Sequence, residues 1–154
     1  MPKYTYTLWD ELNADPVEPM PADKRTHQLT RMWGGLAALE TSATPTVDDW
    51  RVCSDAANLM ETLVDMGEAQ DPDGLVEDCV KALANAGRRY QDGQALRLDG
   101  VGLHALRSVL EDYAEALAAL PHRVMVRCHR RTERRILDIV KGKKQPHDVH
   151  IVSI

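Results

Sequence analysis

Phenylalanine is absent from this chain, and all aromatics together make up 5% of its 154 residues. The core must therefore be filled by Leu, Val, Ala and Met. The length suits one ordinary domain, with enough surface to bury to fold without a staple. Cysteines are few, scattered and odd in number: Cys53, Cys79 and Cys128. Each lies in a helix-like apolar pattern, which excludes a disulfide framework and predicts buried free thiols in a reducing compartment. No apolar run approaches 18 residues, so no membrane-spanning helix is expected. The start, Met1-Pro2-Lys3-Tyr4-Thr5-Tyr6, lacks the apolar centre of a signal peptide, and the expected location is cytoplasmic. Walker A, nucleophile-elbow and HExxH sequences are all missing. Gly100-Val101-Gly102 is a lone GxG with no third glycine, and it reads as turn chemistry. An enzyme is not expected.

What the chain does have is segregated charge. Residues 123–144 carry nine Lys or Arg against Glu133 and Asp138, a net of +7, whereas the first 122 residues carry ten against 21 acidic residues, a net of −11. An acidic body with a concentrated cationic helix points to charge-guided contact.

The body reads as helical. Residues 1–21 hold Pro2, Pro16, Pro19 and Pro21 and predict an extended arm, in which Tyr4, Tyr6 and Leu8 alternate as a short strand would. Helical spacing then predicts helices over about 22–41, 46–66, 72–91, 99–120 and 122–141. Thr46 with Asp49 resembles a capping box. Asp71 and Pro72 suit an N-cap and a first helical residue. Val76, Cys79, Val80, Leu83 and Tyr90 form the buried face of the third helix. Leu103, Leu106, Leu110, Tyr113, Leu117 and Leu120 recur at spacings of 3, 4, 3, 4 and 3, the seam of a helix packed at a shallow angle. Met125, Cys128, Thr132, Ile136 and Ile139 share one face of the last helix. The expected architecture is an all-α, five-helix antiparallel bundle over 22–142, with the arm before it and a tail or edge strand over 143–154.

The candidate binding residues are Arg123, Arg127, Arg130, Arg131, Arg134 and Arg135. The spacing of Arg123, Arg127, Arg130 and Arg134 places them on one face, with Arg131 and Arg135 beside it. Such a ridge is either a solvated face, a nucleic-acid contact, or a surface for an acidic protein or a second copy of the chain. The chain-wide pI of 5.6 weighs against a nucleic-acid contact, and the lack of aromatics interleaved with the arginines weighs against base stacking. Asp48, Asp49, Asp55, Glu61, Asp65, Glu68, Asp71, Asp73, Glu77 and Asp78 form an acidic face. It reads as solubilising charge or as an imitation of nucleic-acid charge. Cys128-His129 and His147-Asp148-Val149-His150 contain zinc-binding atom types, but an extended tail points His147 and His150 to opposite faces. No metal and no cofactor is expected. Cys128 and His129 are also a poor nucleophile–base pair, because adjacent helix residues point about 100° apart.

Two stretches carry a resemblance. Thr46-Val-Asp-Asp-Trp50 leads into Asp55-Ala-Ala-Asn58 and Leu59-Met-Glu-Thr-Leu63. Leu98-Asp-Gly100 leads into Leu103-His-Ala-Leu106 and a helix ending at Leu120. Over about residues 29–120 the chain resembles a loose group of small helical proteins of proteobacterial plasmids, prophages and integrative elements, often labelled Fis-type regulators. The resemblance implies an accessory factor of a mobile element. Some such factors resemble anti-defence inhibitors, including anti-CRISPR proteins, that occupy the surface of a nucleoprotein machine. The short Gly-containing turn and recognition helix of a helix-turn-helix are not found.

Overall fold

The computed structural model describes residues 4–142. Among them are six helices and no strand: α1 (Leu8–Asn13), α2 (Ala22–Thr41), α3 (Val47–Asp65), α4 (Leu75–Gln91), α5 (Gly100–Ala119) and α6 (His122–Val140). The protein is an all-α helical bundle. The expectation of five helices and an extended arm is corrected to six. Thr7 caps α1 by accepting from the Asp10 amide at 3.2 Å, while Asp10 Oδ2 accepts from the Thr7 amide at 2.6 Å. This reciprocal pair starts a helix where a strand was expected at Tyr4–Leu8. The expected tail and strand at 143–154 lie outside the described residues.

Helical periodicity fixes four of the five long helices to within one residue at each end. The exception is the start of α4. Gly74, in the left-handed region at φ 69°, occupies its N-cap. Asp71 reaches over the intervening loop and accepts from the Val76 amide at 3.1 Å. The carboxylate does cap this helix, but from outside a start displaced from Pro72 to Leu75.

Helix α3 is the hub, in contact with α2, α4, α5 and α6, while α2 and α4 also pack on α5. Its residues Met60 and Leu63 are fully buried with Leu106, Leu110 and Leu117 of the α5 seam, Val80 of α4 and Met125 of α6. Burial of each such leucine contributes about 1.5–3 kcal/mol. Trp50 is buried and its indole donates to the Leu83 carbonyl at 2.9 Å, joining α3 to α4. Tyr90, expected on the buried face of α4, is exposed in its last turn. The α3–α6 seam contains a buried hydroxyl pair, Thr62 and Thr132, at 2.6 Å.

Gly35 lets α2 approach α3. A Cβ there would stand 2.8 Å from the Asp49 carbonyl oxygen and 3.3 Å from Cys53 Sγ, whereas a Cβ at its neighbour Gly34 would meet nothing within 4 Å. Gly35→Ala is expected to lower stability by about 1–3 kcal/mol through overpacking. Gly34→Ala is expected to raise it by about 0.5–1 kcal/mol, because alanine is the better helix former. Denaturant unfolding of the two variants checks both signs.

Candidate interaction site on α6

Pro121 gives α6 no side-chain cap, and the arm supplies the missing acceptors. The His122 amide donates to the Glu18 carbonyl at 2.8 Å and the Arg123 amide to the Asp15 carbonyl at 3.0 Å. First-turn amides have no partner within their own helix, so these contacts satisfy donors that would otherwise need water. The Arg123 guanidinium donates to the carbonyls of Leu12 (2.7 Å) and Ala14 (3.2 Å). Further along α6, the buried Glu11 carboxylate accepts from Arg130 at 2.9 Å and from Arg127 at 3.4 Å. The Thr5 amide donates to both carboxylate oxygens of Glu133 at 3.1 Å. Tyr6 meets the His129 ring edge-on, with centroids 5.2 Å apart. The arm is thus a strap clasped along α6 by polar contacts.

The six arginines are consequently not one open set. Arg123, Arg127 and Arg130 hold the arm. Arg135 turns to α3, where it donates to Glu61, to Asp65 at 3.2 Å and to the Thr62 hydroxyl at 3.0 Å. Arg131 and Arg134 are exposed and make no hydrogen bond or ion pair among the described residues. They line a half-open cleft of about 510 Å³ with Arg127, Arg130, Glu11, Thr7, Tyr4, Tyr6 and Leu8. Aromatic side chains therefore do stand beside the arginines, brought from a part of the chain more than a hundred residues earlier. Spacing within α6 could not show this. The cleft has the size of a small-ligand site.

Beside the cleft, α1 presents apolar side chains to solvent: Leu8, which also lines the cleft, is 52% exposed, Trp9 73% and Leu12 50%. Several acidic residues have local work. Asp49 caps α3, Asp71 caps α4, Glu61 and Asp65 meet Arg135, and Glu77 pairs with Lys81 at 2.7 Å. Cys128 is buried, and its thiol donates to the Leu59 carbonyl at 3.3 Å. Burial pushes this thiol up to about 12 and Cys53 likewise to about 12, so both are protonated thiols at neutral pH. The His129 ring packs against Tyr6. Among the described residues no group of three or more His, Cys, Asp or Glu could hold a metal ion. The His147–His150 pair lies outside them. No described helix is long and apolar enough to cross a membrane.

No protein-family model, curated protein or solved structure matches this chain.

Two outcomes test the clasp. Glu11→Gln weakens the charge-assisted acceptor of Arg127 and Arg130. It is expected to lower stability by about 1.5 kcal/mol and to speed hydrogen exchange across the α1 amides, leaving the α5 amides protected. Acid is the second probe. Burial holds the His129 imidazole below its ordinary 6.5, Glu133 opposing and His122 reinforcing the shift. His27, Asp55, Arg31 and Tyr113 line a separate cleft with His129 on its other side. A histidine with a depressed folded-state pKa contributes stability that is complete above about pH 6.5 and is lost as pH falls toward that lower value. The protection factors of the arm amides, corrected for the intrinsic slowing of exchange in acid, are therefore expected to fall as pH drops from about 6.5 to 5, and His129→Gln to flatten that dependence.

Proposed function

We propose that this chain is a non-catalytic, cytoplasmic helical interaction protein. It acts as an accessory or inhibitory factor of the anti-defence, anti-CRISPR-like kind, occupying a protein or nucleoprotein partner by charge and shape. The observation that carries the reading is the pair of unengaged guanidiniums, Arg131 and Arg134, beside the outward apolar face of α1. Exposed tryptophan and arginine are the side chains that most often dominate the energetics of protein contacts. The resemblance to mobile-element proteins over residues 29–120 supplies the context of an accessory factor. Association between copies, with the ridge of one against the acidic face of another, is a variant of the same reading.

The alternative is a nucleic-acid-binding regulator using α6. Tyr4 and Tyr6 beside the arginines favour it, because bases stack on aromatic faces. The cations without a partner among the described residues of α6 and its cap, Arg131, Arg134 and Lys141, are few for that role. A contact neutralising about three phosphates weakens only roughly fortyfold between 50 and 200 mM salt, against 10³–10⁵ for the usual six to ten contacts.

Arg131→Glu combined with Arg134→Glu is expected to abolish capture of the host partner in affinity purification while leaving thermal stability nearly unchanged. Arg127 is unsuited to this experiment because it holds Glu11. Undiminished capture by the double variant removes α6 from the reading. A salt-sensitive gel shift with DNA or RNA, lost in the same variant, moves the conclusion to the regulator.

A further inference from the structure

Helix α1 is inverted relative to an ordinary surface helix. Such a helix turns its apolar stripe inward and its charges to water. Here the inward residue is a carboxylate, Glu11, and Leu8, Trp9 and Leu12 face out. The polar clasp holds α1, and among the described residues nothing covers the outer sides of Leu8, Trp9 and Leu12. Leu8 belongs both to this face and to the cleft that contains Arg131 and Arg134. An apolar ledge and a pair of unengaged cations therefore adjoin.

Resting on the interaction reading above, we propose that this composite surface docks a short acidic amphipathic segment of a protein partner. The apolar side chains of the segment cover Leu8, Trp9 and Leu12, and its carboxylates meet Arg131 and Arg134. Charge complementarity selects the acidic side, and the fold already contains one instance of the same recognition. Glu11, carried on a short helix, sits on α6 against Arg130 at 2.9 Å and Arg127 at 3.4 Å. The arginines one turn further on are positioned for the equivalent carboxylates of a visitor. Two leucines flanking the tryptophan suit aliphatic side chains better than stacked bases. A net charge of −5 also disfavours a polyanion as long as nucleic acid. A second copy is a poorer match. Its carboxylates Asp73, Glu77 and Asp78 lie at the start of α4, and the large apolar side chain exposed on that helix, Tyr90, lies at the opposite end.

Trp9 is the reporter, since Trp50 is buried and Trp33 packs partly against the core. The full chain is titrated with a synthetic helix-forming peptide that places Glu and Leu on adjoining faces, and with a matched peptide carrying Lys in place of Glu. The acidic peptide is expected to give a saturable blue shift of the emission. The shift should be absent in Trp9→Phe, weakened about tenfold in the Arg131→Glu, Arg134→Glu double variant, and not reproduced by the basic peptide. No saturable shift, or one indifferent to the double variant, overturns the proposal. So does an equal shift on raising the protein concentration alone, which assigns the surface to a second copy. A stronger, arginine-dependent response to a single-stranded oligonucleotide overturns it in favour of nucleic acid. If the host partner is captured through Arg131 and Arg134 yet Trp9→Phe captures it equally well, this surface is wrong and the interaction reading stands. If no partner is captured by the parent chain, that reading falls first.

Discussion

The buried carboxylate of Glu11, shared by Arg127 and Arg130, fixes the character of the whole surface. It brings α1 down on its polar side and so turns Leu8, Trp9 and Leu12 outward. The same strap delivers the Asp15 and Glu18 carbonyls to the uncapped amides of α6. It also engages Arg123, Arg127 and Arg130, while Arg131 and Arg134 have no partner among the described residues. The contact is asymmetric in energy. A paired, partly buried carboxylate contributes modestly, while removal of one partner strands a desolvated charge. The arm is therefore committed to α6.

Helix α6 is mounted on the body by a second polar seam. The Thr62–Thr132 hydroxyl pair and the donations of Arg135 to Glu61, Asp65 and Thr62 run along its contact with α3. An apolar seam alone would tolerate sliding, whereas matched hydroxyls and a forked cation fix one register. That register sets which arginines face the arm and which face water. Helix α3 carries this seam on one side and the packing of α2, α4 and α5 on the others. The apolar core and the charged surface are thus coupled through one element.

Much of the fold was legible residue by residue. The leucine seam of α5 and the inward face of α6 follow from spacing alone, whereas α3, in contact with four other helices, buries residues beyond any single stripe. The start of α4 was misplaced because Asp71 caps at a distance across a loop shaped by Gly74, a geometry that adjacency rules miss. Tyr90 fell on the apolar stripe but in a last turn that the body does not cover. The unexpected helix, α1, carried a readable signal. Thr7 and Asp10 repeat the Thr-x-x-Asp pattern of Thr46 and Asp49, and the prolines of the arm obscured it.

The sequence by itself determined an all-α body, the extent of four of its five long helices and the concentration of positive charge on the last of them. All three depend on periodicity and composition, which act over a few turns of chain. Only the tertiary structure decided which positive charges stay available. A helical wheel places six arginines together, but their fate depends on Glu11, Leu12 and Ala14 from one remote segment and on Glu61, Thr62 and Asp65 from another. Spacing within a helix specifies a direction from its axis. What waits in that direction is set by packing between segments far apart in the chain.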